Sequence, residues 1–284
     1  MKFKKIIITI LILILLIIIA RYLNTYVAKF LDLKHERENG VIIGAEPYYI
    51  EQGKEAVLVL HGFGASPYSI REINNFLATK GYTVYAPLLP GHGTSVFDLE
   101  KVTYLDWQNY AEQAYLQLKE NHTKVYIVGT SLGGLLALDL GSKYDVDAIV
   151  LINTPIESKS GIIDILPLIY LVERYHIRGF IGLEELPIAS QLRLYNSVPI
   201  KTVGQLVSYI NIVKDDLNNI NEPILVIQSI NDDVVEPESA VIILDNVNSE
   251  NKNILWLRSS THINIVREDK ELLKQRGYQF IKNV

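Results

Sequence analysis

A serine between two glycines is the residue best placed for chemistry in this chain. The sequence GTSLGG at residues 129–134 follows the apolar run KVYIV and precedes the helix-like stretch LGGLLALDL. A sharp turn from a strand into a helix crowds the positions two residues either side of Ser131, so glycine is needed at Gly129 and Gly133. The turn would expose the Ser131 hydroxyl and place the backbone N–H of Leu132 where it can stabilise an oxyanion. The pattern predicts a serine nucleophile.

Serine needs a base to take its proton, and the base needs an acid to orient it. Where such a turn carries the serine, the acid and the base follow it along the chain, which leaves His176 and His262 among the six histidines. His176 lies in an unusually long segment between strands, whereas His262 follows the apolar run ILWLR in the polar loop RSSTHIN. The acid is expected after ILVIQ, in SINDDVVEPES, where position alone leaves both Asp232 and Asp233 as candidates.

A second oxyanion donor is expected in the loop HGFGASP, which follows the apolar run AVLVL. A tight turn flanked by glycines would expose the N–H of Phe63 and leave its ring available to line an acyl pocket. His61 and His92 precede the serine, so we expect them to organise loops rather than to act as bases.

Six short apolar runs alternate with helix-length amphipathic stretches in the body of the chain. The runs are residues 56–60, 82–86, 124–128, 148–152, 224–228 and 254–258, and the helical stretches are near 67–80, 103–121, 132–143, 236–246 and 267–282. Continuous apolar strands joined by helices predict an α/β fold with a mostly parallel sheet covered on both faces. The interval between the fourth and fifth runs is too long for an ordinary crossover, so residues 157–221 should form an inserted, mainly helical cap.

From about residue 45 to 284 the chain resembles the α/β-hydrolase superfamily, specifically its small bacterial carboxylesterase and monoacylglycerol-lipase-like branch. The matching motifs are LVLHGFGASP, GYTVYAPLLPGHG, the pair DW at 106–107, VGTSLGG, PILVIQSINDD and the late STH. The resemblance implies an α/β-hydrolase fold with a cap over residues 157–221, and by register it selects Asp232 rather than Asp233 as the acid. It also implies a role for each candidate: nucleophile Ser131, base His262, acid Asp232, and oxyanion donors Phe63 and Leu132.

The N-terminus carries an apolar segment that the soluble members of this branch lack. Residues 6–20, IIITILILILLIIIA, contain one polar side chain and would form about 22 Å of helix against about 30 Å of bilayer hydrocarbon. We expect an uncleaved, single-pass membrane anchor over residues 1–23 and a stalk over residues 24–44. The alternative is a cleaved signal peptide, which lacks support because no small-x-small cleavage pattern precedes Ala20 or Ala28. Lysines before the segment predict a cytoplasmic N-terminus and an extracytoplasmic catalytic domain at the cell membrane.

Composition excludes several classes of function. The chain has no cysteine, which removes thiolate metal sites, cysteine nucleophiles and disulfide scaffolds. The net charge is −5, and residues 31–284 hold 22 basic against 32 acidic residues, which disfavours nucleic acid as a partner. No histidine or carboxylate spacing indicates a metal site, and no cofactor is predicted.

The combined prediction is hydrolysis of a carboxylic ester through an acyl-enzyme. Anchoring beside a bilayer favours a small-molecule or lipid-derived ester such as a monoacylglycerol or a lysophospholipid. The same triad serves thioesterases and peptidases, so these remain alternatives. An alternative from another class is a catalytically silent module that binds a lipid or a partner at the membrane.

Overall fold

The computed structural model of the protein describes residues 2–157, 162–177 and 191–284. Its strands are β1 (Arg37–Glu38), β2 (Val41–Ile42), β3 (Tyr48–Ile50), β4 (Glu55–Leu60), β5 (Thr83–Ala86), β6 (Lys124–Thr130), β7 (Ala148–Ile152), β8 (Tyr175–Ile177), β9 (Ser197–Pro199), β10 (Ile224–Ser229) and β11 (Lys252–Leu257). Its helices are α1 (Lys2–Asp32), α2 (Arg71–Thr79), α3 (Val96–Leu99), α4 (Tyr104–Asn121), α5 (Leu132–Gly141), α6 (Ile162–Val172), α7 (Ile200–Asp215), α8 (Glu238–Asn246), α9 (Ile265–Glu268) and α10 (Lys270–Lys282).

In the described part of the chain, seven strands form the central sheet in the order β11-β10-β7-β6-β4-β5-β3. Every neighbouring pair is parallel except β3 and β5, which are antiparallel. All six apolar runs of the sequence lie on strands of this sheet, so the predicted mostly parallel α/β architecture is confirmed. The three-residue edge strand β3 is an addition that the sequence did not predict, because it carries no apolar run.

The inner strands of the sheet are buried on both faces, as continuous apolar strands require. On β4, Leu58 and Leu60 belong to one apolar cluster with α4, α5 and α7, whereas Val57 and Val59 belong to a second cluster with α2 and α10. Each of these four side chains is fully buried. Burying a side chain of this size contributes about 1.5–3 kcal/mol, so the two clusters supply the main stabilisation of the fold.

The insertion between β7 and β10 contains α6, the antiparallel pair β8–β9 and α7 in its described residues. The predicted cap over 157–221 was expected to be mainly helical, and the structure adds the short strand pair to these helices. Residues 158–161 and 178–190 of that predicted cap, including the apolar stretch 179–188, lie outside the described residues.

Helix α1 is the one helix of the described residues that is long and apolar enough to cross a membrane. Its most apolar window has a mean hydropathy of 3.0 and is not buried in the protein. The helix does not end near residue 23, where the predicted anchor stops, but continues to Asp32. Residues 24–32 contain no glycine or proline, and Ala28 and Asp32 are buried against the body, which favours an unbroken helix over an extended stalk.

The rest of the predicted stalk also packs against the body. The backbone N–H of Ile42 donates to the carbonyl of Gly93 at 2.7 Å, and both Ile42 and Ala45 are buried. The division into an anchor (1–23), a stalk (24–44) and a hydrolase domain (45–284) stays a prediction.

Candidate active site

Ser131 occupies the turn between β6 and α5 in a strained backbone conformation. Its φ is +53° and its ψ is −114°, a backbone conformation that residues other than glycine rarely adopt. The turn is held because the Ser131 N–H donates to the carbonyl of Ile152 at 2.9 Å, and the Ser131 carbonyl accepts from the N–H of Gly134 at 2.9 Å. Surrounding structure thus fixes a conformation that costs about 1–3 kcal/mol on its own.

The glycines around Ser131 are required by close backbone approach. A Cβ added to Gly129 would overlap the carbonyl of Gly133, and a Cβ added to Gly133 would overlap the carbonyl of Leu60 on the neighbouring strand. The steric demand predicted for these two positions is therefore confirmed. Helix α5 can pack directly against the sheet only because these residues carry no side chain.

The structure brings Ser131, His262 and Asp232 together, although they come from three separate loops. His262 Nε2 lies 3.2 Å from Ser131 Oγ, and His262 Nδ1 lies 2.8 Å from Asp232 Oδ2. The Asp232 side chain is completely buried, whereas the His262 side chain is 14% exposed. Ser131 follows β6, Asp232 follows β10 and His262 follows β11, so the carboxyl ends of three parallel strands position the three groups.

The two candidate aspartates have different contacts. Asp232 Oδ1 accepts from the backbone N–H groups of Val234 at 2.9 Å and Val235 at 2.8 Å, which orients its other oxygen towards the imidazole of His262. Asp233 Oδ1 accepts from the backbone N–H of His262 at 3.2 Å. Asp232 therefore contacts the imidazole ring of His262, whereas Asp233 accepts a hydrogen bond from the backbone of His262.

The backbone N–H of Phe63 lies on the loop after β4, and the backbone N–H of Leu132 lies at the first residue of α5, directly after Ser131. Within the described residues, neither N–H donates a hydrogen bond. Gly62 brings the Phe63 loop against the serine, since a Cβ added to Gly62 would lie 3.4 Å from the Cβ of Ser131.

The other histidine that follows the serine, His176, lies on β8 and contacts Glu173 at 3.2 Å.

Comparison with known proteins shows the family of this chain. Residues 55–169 match the family model of the alpha/beta hydrolase fold. Over 253 residues, the chain is 34% identical to the thermostable monoacylglycerol lipase of Bacillus sp. (strain H-257), a match that covers 84% of this chain and 95% of the lipase. The chain belongs to the alpha/beta hydrolase family.

Two further relatives of this alpha/beta hydrolase extend the comparison. This chain is 28% identical over 244 residues to the carboxylesterase of Bacillus subtilis (strain 168), and the match covers 86% of this chain and 98% of that enzyme. A solved structure from work on LipS and LipT, two metagenome-derived lipolytic enzymes, superposes with a TM-score of 0.78 at 29% identity, covering 86% of this chain and all of that chain. The similarity to the carboxylesterase and monoacylglycerol-lipase-like branch is therefore confirmed.

A mainly apolar cavity of about 140 Å³ opens directly above Ser131 and His262 in this hydrolase. Its described walls include the side chains of Ala65, Ile70, Leu192, Leu194, Leu206 and Val266. The ring of Phe63 also lines it and packs edge-on against Trp107 at a centroid distance of 5.9 Å. Sequence reasoning missed the three leucines, because they lie in the insertion without a motif to mark them.

His61 and His92 form a buried pair behind the Phe63 loop. Nδ1 of His61 donates to the carbonyl of Gly62 at 2.9 Å, and its Nε2 accepts from the N–H of Leu89 at 3.1 Å, an arrangement that requires the neutral ring. The two rings contact each other edge-on at 5.1 Å. Burial lowers the pKa of His61 to about 4 and that of His92 to about 3. Their predicted loop-organising role is confirmed by these contacts.

This pair should make the hydrolase sensitive to acid. Below the ordinary histidine pKa of 6.5, the unfolded chain binds protons that the folded chain excludes until pH falls to about 4 at His61 and about 3 at His92. Stability from these rings is therefore complete above pH 6.5 and is lost as pH falls, by about 1.4 kcal/mol per pH unit for each ring. Urea unfolding between pH 7 and 4.5, followed by tryptophan fluorescence, measures this slope. His61→Asn removes one of the two rings, so the free energy of unfolding should fall with pH less steeply, by about 1.4 kcal/mol per pH unit. Equal slopes in the variant and the wild type would contradict the lowered pKa of His61.

Proposed function

We propose that this alpha/beta hydrolase is a serine carboxylic ester hydrolase that acts through an acyl-enzyme. The observation that carries the proposal is the unbroken hydrogen-bonded series from Ser131 through His262 to Asp232 at the floor of an apolar cavity. The names of its relatives, a monoacylglycerol lipase and a carboxylesterase, support an ester as the substrate.

In the first half of the proposed reaction, Ser131 Oγ attacks the acyl carbon while His262 Nε2 takes the hydroxyl proton. The negative charge that develops on the carbonyl oxygen is stabilised by the N–H groups of Phe63 and Leu132, which have no competing acceptor among the described residues. His262 then gives its proton to the departing alcohol, and the acyl group stays on Ser131. Water repeats these steps with His262 again as the base, which releases the carboxylic acid and restores the serine.

The Asp232 carboxylate keeps the proton of the neutral imidazole on Nδ1 and stabilises the imidazolium that forms during each half-reaction. Its complete burial strengthens this interaction, because little water competes with the ring for its Oδ2 atom. The two N–H donors on Oδ1 compensate the remaining charge of the buried carboxylate.

The cavity favours an acyl chain as the group beside Ser131. Leu192, Leu194 and Leu206 offer alkyl surface and no charge to a bound substrate. Monoacylglycerols, lysophospholipids and other lipid-derived esters combine such a chain with a single ester bond, and they are the proposed substrate class. Helix α1 supports this choice, since we propose that it anchors the chain in a membrane with the catalytic domain on the extracytoplasmic side.

Activity-based labelling tests the proposed chemistry. A fluorophosphonate probe should label the wild-type protein at Ser131 and should leave Ser131→Ala unlabelled. In parallel, p-nitrophenyl esters from acetate to decanoate should be hydrolysed faster than a matched thioester or peptide anilide. A folded wild-type protein that neither labels nor hydrolyses any of these esters would favour the silent binding module instead.

Protease treatment of intact cells or protoplasts tests the proposed location. The catalytic domain should be digested while a cytoplasmic marker protein survives. Full protection of the catalytic domain would contradict export.

The turn around Ser131 gives a further prediction. Gly133→Ala should reduce ester hydrolysis by about 100-fold, because the new Cβ meets the Leu60 carbonyl and shifts both Ser131 and the N–H of Leu132. Gly204→Ala is the matched control on α7, where a Cβ finds nothing within 4 Å. That variant should keep its activity and gain about 0.5–1 kcal/mol of stability in an α-helix. Steady-state kinetics and urea unfolding of both variants give the comparison, and equal activity would refute the steric argument.

A further inference from the structure

The C-terminal half of α1 is packed against the hydrolase rather than standing free. Residues 21–32, here called the docked segment, turn one face towards the cap. Ala28 is fully buried in a cluster with Val96 and Tyr175, and on the outer side of the same helix Tyr26 is 63% exposed. This burial distinguishes the docked segment from the apolar segment before it, which stays outside the protein.

Asn24 makes the most specific contact of the docked segment. Its Oδ1 accepts from the backbone N–H groups of Arg174 at 2.9 Å and Tyr175 at 2.8 Å, and its Nδ2 donates to the carbonyl of Tyr175 at 2.8 Å. A single side chain thus pairs three main-chain groups at the start of β8. One turn earlier, the guanidinium of Arg21 donates to the carbonyl of Tyr170 on α6 and lies 4.7 Å from the centre of its ring.

Asp32, at the end of α1, holds a loop of the hydrolase core. Its carboxylate accepts from the hydroxyl of Ser95 at 3.1 Å and from the backbone N–H of Val96 at 3.0 Å. Arg37 pairs with the same carboxylate at 2.9 Å and donates through Nε to the carbonyl of Thr94 at 2.7 Å. The docked segment therefore joins the cap at one end to residues 94–96 of the core at the other.

The cap strand held by Asn24 is also tied to the core. Both guanidinium nitrogens of Arg174 that face Glu100 donate to its two carboxylate oxygens at 2.7 Å, and the hydroxyl of Tyr175 donates to the same carboxylate at 2.7 Å. Glu100 lies directly after α3, which begins in the loop that Asp32 holds. The docked segment, the cap and the core therefore meet in one polar junction, which is formed by Asn24, Arg174, Tyr175 and Glu100.

This junction leads directly to the cavity wall. Strand β8 pairs with β9, and β9 lies between Leu194 and Leu206, both of which line the cavity. Tyr195 accepts from the N–H of Thr94 through its hydroxyl at 2.9 Å, and its own N–H donates to the carbonyl of Gly64 at 2.9 Å. Gly64 is the neighbour of Phe63, and Phe63 and Leu194 both line the cavity, so this contact holds the chain before β9 at the cavity wall.

We propose that the docked segment is a positioning element of the active site, which fixes the cap strands and thereby the apolar wall above Ser131. Asn24 and Ala28 are positioning residues that act through β8 and β9 and do not touch the substrate. The kinetic part of this proposal rests on the ester hydrolysis proposed above, whereas its structural part does not.

Hydrogen exchange and kinetics of the full-length protein in detergent micelles test the proposal. Asn24→Ala removes three hydrogen bonds, and Ala28→Phe separates the helix from the cap by bulk alone. In both variants, the amides of peptides 173–177 and 192–198 should exchange at least about tenfold faster than in the wild type. The KM for p-nitrophenyl octanoate should rise about threefold or more, with kcat for p-nitrophenyl acetate unchanged. Tyr26→Ala, on the exposed side of α1, is the matched control and should match the wild type.

Faster exchange confined to residues 174–175, with peptide 192–198 and the KM unchanged, would overturn the proposal, because α1 would then only lie against the cap. A wild-type protein without esterase activity would refute the proposed function alone. In that case, the exchange of peptide 192–198 still decides whether the docked segment positions the cavity wall.

Discussion

Replacement of Ser131 by alanine should lower kcat/KM for p-nitrophenyl butyrate by about 10⁴-fold or more. The variant keeps the cavity and both proposed oxyanion N–H groups but loses the oxygen that is proposed to attack the acyl carbon. Any residual rate would come from water bound near His262, which is a weaker and less well oriented nucleophile. The loss should fall on kcat, because the hydroxyl contributes little to binding the alkyl chain of the substrate.

Ser69→Ala is the matched control for this prediction. Ser69 lines the same cavity, and its hydroxyl donates to the carbonyl of Ser66 at 2.7 Å rather than contacting His262. It should retain activity within about threefold, since loss of one partly buried hydrogen bond costs only about 1 kcal/mol. If Ser131→Ala kept more than a tenth of the wild-type rate, the reaction would not pass through this serine.

The second large effect is expected at Asp232, the buried residue proposed as the acid. Asp232→Asn should lower kcat by about 10⁴-fold, because an amide cannot stabilise the imidazolium and favours the wrong tautomer of His262. The fold should survive, since the asparagine carbonyl can still accept the N–H groups of Val234 and Val235. Stopped-time assays at saturating ester, with circular dichroism to verify folding, give the measurement.

Asp233→Asn provides the comparison at the neighbouring position. Asp233 Oδ1 accepts from the backbone N–H of His262 at 3.2 Å, and an amide oxygen can replace that contact. The expected loss is within about tenfold, the scale of one weakened hydrogen bond to a charged group. A larger loss at Asp233 than at Asp232 would reverse the assignment of the acid.

The sheet and the serine turn could be predicted from the sequence because their signals are local. Strands buried on both faces are apolar over most of their length, and β4, β7 and β10 follow this pattern. The glycines around Ser131 answer a steric demand within five residues of chain. By contrast, β3 is a three-residue edge strand with the polar Tyr48 and Tyr49, and it has no pattern that separates it from a loop.

The choice between Asp232 and Asp233 needed more than local pattern. Position alone allowed both, family register favoured Asp232, and only the contacts with Val234, Val235 and His262 distinguish their environments. The pairing of these groups depends on how the loops after β10 and β11 fold against each other, 30 residues apart in the chain.

The cavity wall and the docked segment depend on contacts over still longer distances. Asn24 meets Tyr175 across 151 residues, and nothing in the sequence around Asn24 marks it as a partner of a cap strand. Leu192 and Leu194 likewise face the cavity because of where the insertion folds back, not because of a periodic pattern. Such contacts are decided by tertiary packing, so a stalk was the natural prediction for residues 24–44.

The unbroken course of α1 has a consequence for where the enzyme can work. If the apolar segment ends at Arg21 in the headgroup region, the helix rises about 17 Å further before Asp32 meets the core. With the proposed membrane anchoring, a continuous helix of that length would hold the catalytic domain at a nearly constant height above the lipid surface. The enzyme would then sample esters from a fixed shell beside its own leaflet rather than from a wide volume of solution.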